Sequence, residues 1–118
     1  MSHIAITDII KSLYRRGFAP ADHELTDEQA KLAVDIQFHA VVEELGEISR
    51  MLRRSKQGVD EVDRAMIAHE AADVVIAAVC LLRQAVNVAS DAEDVIAMKL
   101  AADEKRGYLH RGGQLRND

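Results

Sequence analysis

Residues 71 to 82 read Ala-Ala-Asp-Val-Val-Ile-Ala-Ala-Val-Cys-Leu-Leu, apolar nearly all round a helix and interrupted only by Asp73. A helix without a polar face belongs in the middle of something. Its uninterrupted apolar part, Val74 to Leu82, is nine residues long, about half of a membrane span. A chain of 118 residues has little else with which to surround such a helix. The stretch therefore predicts a helical protein whose third helix lies at a subunit interface, and hence a homo-oligomer.

Working outward, Asp60 is placed to cap this helix, which is predicted to run to about Asn87, and Gly58 is a natural stop for the helix before it. That second helix opens at the capping box Thr26-Asp27-Glu28-Gln29 and is predicted to reach about Arg54. Ile4, Ile6, Ile9, Ile10 and Leu13 mark a short first helix over residues 4–16, ended by Gly17 and the Pro20 turn. Ser90-Asp91-Ala92-Glu93, another capping box, opens a fourth helix through about Arg106. The tail 107–118, with Gly112-Gly113, lacks periodicity and is expected to be mobile. No linker or repeat divides the chain, so residues 1–118 form one domain with its core at about 26–106.

Composition agrees with an all-α four-helix bundle. Eighteen alanines, two Tyr, two Phe, no Trp and one Pro favour closely packed helices over a sheet. The single cysteine, Cys80, excludes a disulfide framework and a cysteine zinc site, and in the apolar run it reads as an inert core thiol. A net charge of −5 argues against a general nucleic-acid binder. With no membrane-length apolar run and no signal-peptide pattern at the start, the expected setting is the cytoplasm, with no membrane partner.

Two acidic pairs stand out, Glu44-Leu-Gly-Glu47 and Glu70-Ala-Ala-Asp73. Residues three apart share a helix face. Folded as an antiparallel hairpin, Glu44 meets Asp73 and Glu47 meets Glu70 about a centre between Gly58 and Val59, where the turn signals lie. All four carboxylates then sit at one height. Among neighbours such as Val41, Leu45, Ile48 and Val74, four carboxylates cannot all stay ionised without a cation. All-oxygen ligands suit Mg²⁺, with Mn²⁺ as a substitute. The Glu-x-x-His motif of a di-iron bundle is absent, since Ile36 and Met66 precede His39 and His69 by three. The plain alternative is that the acids are solvated, or paired with Arg50, Arg53, Arg54 and Arg64.

These motifs resemble the all-α nucleoside triphosphate pyrophosphohydrolases of the MazG type. The resemblance rests on Val42-Glu-Glu-Leu-Gly-Glu-Ile48, His69-Glu-Ala-Ala-Asp-Val-Val75 and Lys99-Leu-Ala-Ala-Asp-Glu-Lys-Arg106, in the family's order and spacing. It implies that Glu44, Glu47, Glu70 and Asp73 hold Mg²⁺ and that Lys99 and Arg106 contact the triphosphate. It also implies cleavage between the α- and β-phosphates, giving a nucleoside monophosphate and pyrophosphate, in a homodimer or dimer of dimers. Glu47 is the carboxylate assigned to orient or deprotonate the attacking water. Asp103 stands where the family usually has Asn, and repels phosphate unless it binds metal or pairs with Lys99 or Arg106.

Gln37, two turns before Glu44, is placed to reach a nucleobase, although a plain polar surface role is the simpler reading. Phe38 reads as core. Three alternatives stay open. Phosphoribosyl-ATP pyrophosphohydrolase is disfavoured because Val74-Val75-Ile76-Ala77 stands where that family tends to have Leu-Tyr-His. Enzymes specific for dUTP or dCTP share the metal motifs. A non-catalytic helical dimerisation module explains the apolar third helix but not four level carboxylates.

Overall fold

The computed structural model describes residues 3–113, with side chains through Gly107. The described residues form four α-helices and no strand: α1 (Ile6–Arg15), α2 (Asp27–Lys56), α3 (Arg64–Ala85) and α4 (Ala89–Gly113). The Thr26 box closes as read, with Thr26 Oγ1 accepting from the Gln29 N–H at 3.1 Å and Gln29 Oε1 accepting from the Thr26 N–H at 2.9 Å. Gly58 ends α2 with a left-handed φ of 74°, and the Val59 N–H reaches back to the Arg54 carbonyl.

Two caps differ from the sequence reading. Asp63, not Asp60, caps α3, accepting from the Met66 N–H at 2.9 Å. Arg54 occupies the Asp60 carboxylate at 2.5 Å instead, across the turn. At α4 the helix begins at Ala89, one residue ahead of the Ser90 box, because the Asp22 carboxylate accepts from the Ala89 N–H at 2.9 Å. The fourth helix also continues past Arg106 to Gly113, where the sequence reading ended it at about Arg106. The rest of the predicted mobile tail, including Arg116, lies outside the described residues.

The helices α2 and α3 pack along each other as a hairpin, and among the described residues α2 has no contact with α1 or α4. Its half-buried stripe is Val34, Gln37, Val41, Glu44, Ile48 and Met51. The facing stripe on α3 is Ile67, Glu70, Val74, Ala77, Leu81 and Gln84. Both stripes step by three and four residues, the spacing of a coiled-coil seam. Across it the Gln37 side-chain amide donates to the Ala77 carbonyl at 3.0 Å.

The small buried core lies elsewhere, where α1, the C-terminal half of α3 and the start of α4 meet. Ile10, Leu13, Ala19, Val79, Cys80 and Ala92 form it. Cys80 donates its thiol to the Phe18 carbonyl at 3.4 Å, and burial pushes its pKa up, in keeping with an inert core thiol. Arg83 is 1% exposed beneath this core, donating to Asp22 Oδ1 and the Val86 carbonyl at 3.0 Å each.

A single chain therefore leaves much apolar surface open. No residue of α2 is fully buried, and Phe38, expected in the core, is 51% exposed. The α3 helix is long and apolar enough to cross a membrane, yet only 11% of its most apolar window is buried. From Ala97 to Arg106 every side chain of α4 is exposed. The reason is length: α1, at ten residues, spans about 15 Å, whereas α4, at 25 residues, spans about 37 Å. The radius of gyration is 17.4 Å, against about 13.5 Å for a compact chain of this length.

Candidate metal centre

Glu44 and Glu70 occupy seam positions of the hairpin, where helix packing ordinarily places apolar side chains. Glu47 and Asp73, three residues further along their helices, are exposed at its margin. The geometry brings the four together electrically. Burial raises the Glu44 carboxyl above its ordinary value, and the negative charges of Glu47, Asp73, Glu70 and Glu43 raise it further. Glu47, Asp73, Glu70 and Glu43 are thus all near enough for their charges to act on Glu44.

No neighbouring cation relieves this crowding. Of the arginines able to neutralise the acids, Arg54 is committed to Asp60, and none of the four carboxylates has an ion pair among the described residues. Nor do three His, Cys, Asp or Glu side chains converge tightly enough among the described residues to form a ready-made metal cage. The two findings are consistent. Like charges repel, and none of the described residues draws the four carboxylates together. The donor set is all oxygen, so the residues fit a hard divalent ion in chemistry, though the described residues form no closed cage.

Beside the acids lies an open cleft of about 520 Å³ between the helices, lined by Glu47, Glu70, Arg50, Met51 and Met66 among others. Arg50 carries no ion pair among the described residues. The cleft thus joins carboxylates to a cation, an arrangement suited to an anionic ligand that carries its own metal. Its Arg50 wall was not singled out in the sequence, where Arg50 reads only as a counter-ion for the acids. A second, more enclosed cavity of about 400 Å³ lies at the far end of the hairpin, lined by His23, Lys31, Arg83 and Gln84 among others. Glu24 and Asp27 also line it, and it contains none of the four carboxylates.

The other candidate residues fall differently. Gln37 commits its amide N–H to α3 and so ties the hairpin together, whatever else its carbonyl oxygen reaches. Lys99 and Arg106 ride on the exposed part of α4, which has no contact with α2 among the described residues, so one chain does not bring them to Glu44 and Glu47. Arg106 pairs with Asp103 one turn back, the pairing that offsets the Asp at this position. Comparison with protein families, with curated proteins and with solved structures yields no match.

Proposed function

We propose that this chain is a Mg²⁺-dependent nucleoside triphosphate pyrophosphohydrolase that cleaves between the α- and β-phosphates, releasing a nucleoside monophosphate and pyrophosphate. The observation that carries this reading is the set of four carboxylates from two helices, centred on a seam and left without a protein cation. Two seam glutamates weaken the hairpin, and helix packing alone gives no reason for them. The MazG-type resemblance supplies the substrate class.

Glu44, Glu47, Glu70 and Asp73 would hold Mg²⁺, with Mn²⁺ as a substitute. When bound, the ion neutralises phosphate oxygens and makes water a better nucleophile near neutral pH. Glu47, exposed at the cleft margin, accepts a proton from the attacking water as the oxygen–phosphorus bond forms in line with the departing pyrophosphate. Arg50 donates to phosphate oxygens from the same cleft and offsets the charge on the leaving group.

The protein acts as a homo-oligomer in the cytoplasm on this reading, and the bundle expected from the sequence closes between copies. The apolar surface of α3 is better suited to protein than to lipid, because its most apolar window contains Glu70 and Asp73. Each charged residue at a membrane centre costs about 3 kcal/mol on insertion scales. The same exposed apolar surface favours the second reading, a non-catalytic helical dimerisation module.

The deciding experiment is pyrophosphate release from a panel of NTPs and dNTPs that includes dUTP, dCTP and phosphoribosyl-ATP, with Mg²⁺ and with EDTA. Metal-dependent release with a monophosphate product supports the proposal, and the fastest substrate names the pocket. No release, together with no thermal shift on adding Mg²⁺, leaves the dimerisation module.

A further inference from the structure

The cavity of about 400 Å³ at the far end of the hairpin lies between the loop after α1, the first turns of α2 and the end of α3. Two neighbouring residues of its lining carry polar atoms that the fold leaves unpaired. Arg83, 1% exposed, donates from its two terminal nitrogens to Asp22 and to the Val86 carbonyl, and its Nε–H has no partner among the described residues. Gln84 donates its amide to Cys80 Sγ at 3.6 Å, and its buried Oε1 likewise has no partner among them. The Cys80 thiol is itself spent on the Phe18 carbonyl, so its sulfur is left to accept. That sets the Gln84 amide with its nitrogen toward Cys80 and its oxygen away. Native folds rarely leave buried polar atoms unpaired, and a donor beside an acceptor in a cavity wall suits a ligand that answers both.

Charge narrows the class of ligand. Glu24 and Asp27 stand in the lining against Lys31 and Arg83, and Arg83 is already offset by Asp22. An anion therefore meets no surplus of positive charge here, and a cation no surplus of negative charge. Stripping water from either is costly in a site that returns one hydrogen bond to each end. A neutral amide matches the pair. Its carbonyl oxygen accepts from the Arg83 Nε–H, and its own N–H donates to Gln84 Oε1. Leu25, Val34 and Val86 supply an apolar wall for the rest of the molecule. The volume falls within the range of small-molecule sites, about 300–1,000 Å³.

From this lining we infer that the cavity is a binding site for a small neutral carboxamide with an apolar body, separate from the acidic centre. Lys31, in the lining, lies thirteen residues before Glu44 on the same helix, about 20 Å along its axis. Both unpaired atoms are shielded from water, so the head of the ligand reaches them by parting the wall. The part able to turn is the Gln84 side chain, half-buried and held by one weak contact to sulfur. The opposite side is anchored. His23, in the left-handed region at φ 58°, donates its backbone N–H to the Asn87 carbonyl at 2.8 Å and ties the loop to the chain after α3. The site needs none of the residues on which the pyrophosphohydrolase reading rests.

Benzamide, benzoate and benzylamine test it, because they share one ring and differ in a head that is neutral, anionic or cationic at about pH 7. Each is titrated into the ¹⁵N-labelled full chain while NMR follows the Arg83 Nε–H and the backbone amides of residues 23–31 and 83–87. Benzamide should shift these signals with saturation at about 1 mM, and should bind about tenfold more tightly than either charged analogue. Gln84→Met keeps the side-chain volume and removes the oxygen, so it should weaken benzamide about tenfold with helix content unchanged.

Tighter binding of benzoate or of benzylamine would overturn the neutral class. Unchanged affinity in Gln84→Met would remove the pairing on which the inference is built. Shifts confined to other parts of the chain, or none with any of the three at about 20 mM, would sink the site itself. Displacement of benzamide by a nucleoside triphosphate with Mg²⁺ would show that the cavity belongs to the acidic centre, against the separation inferred. Glu47→Gln should leave the benzamide titration unchanged, so failure of the enzyme reading and failure of this site are read apart.

Discussion

At the scale of single residues, Glu44 sets its proposed part in metal binding against stability. Its carboxyl is raised by burial and by four neighbouring negative charges, so the folded chain holds that proton more tightly than the unfolded chain does. The sign follows directly. Below the carboxylate range both states are protonated and nothing is lost, and as pH rises through the range stability falls. Glu44→Gln should therefore raise the melting temperature in EDTA at about pH 7.5, and the gain should vanish at about pH 3.5. Mg²⁺ should stabilise the wild type at neutral pH and the variant much less, which a thermal melt with and without the ion checks. Glu47 divides differently, being exposed at the margin. Glu47→Gln should leave the melt nearly unchanged while lowering turnover by about 10²–10⁴-fold, the usual worth of a general base. Arg50→Ala should raise KM about tenfold, the loss of one charge-assisted hydrogen bond to phosphate. Asp22 has a purely structural part. One of its oxygens accepts from both Arg83 and the Ala89 N–H, joining the loop after α1 to the end of α3 and the start of α4. Asp22→Ala leaves a 1%-exposed guanidinium without its counter-ion and should cost about 2–3 kcal/mol in chemical denaturation, with no direct effect on the acidic site.

At the scale of elements, what was legible in the sequence was local. The Thr26-to-Gln29 box and the Gly58 stop involve residues within one turn of each other, and both form as read. The two acidic pairs could be singled out for the same reason, from their spacing and the turn between them, whereas which member of each pair enters the seam (Glu44 and Glu70) and which stays exposed (Glu47 and Asp73) depends on how the helices are rotated. Caps went astray where a distant partner intervened. Arg54, six residues away, draws off Asp60, and Asp22, from the loop after α1, caps α4 ahead of the Ser90 box. Gln37 and Phe38 show the same limit, because whether a side chain ties a seam or faces open space depends on the rotation of one helix against another. Lys99 and Arg106 show it most strongly. A motif in sequence order fixes their place on α4 and says nothing of whether α4 reaches α2. Gly58 gives this scale its prediction. With φ at 74° it occupies a backbone region that L side chains seldom adopt, although no atom stands where a Cβ would be placed. Gly58→Ala should cost about 1–2 kcal/mol through backbone strain alone, with the hairpin intact by circular dichroism.

At the scale of the whole molecule, the chain has too little buried core for the helices it builds. Six apolar residues make up the fully buried set among those described, and all lie at one end, where α1, α3 and α4 meet. The long hairpin projects from that end with no buried residue on α2, and α4 extends past α1 into solvent. Small domains already sit close to the limit of independent stability, and helices held only along a narrow stripe are marginal. Association that covers these surfaces then contributes directly to folding stability by mass action. If folding and assembly are linked in this way, the melting temperature rises with protein concentration, and over a hundredfold range the shift is several degrees. Differential scanning calorimetry between about 2 and 200 µM, with sedimentation at each concentration, checks it. A melting temperature independent of concentration, in a species that sediments as a monomer throughout, would show that the described helices stand alone, and the long seam of α2 on α3 would then have to account for their stability unaided.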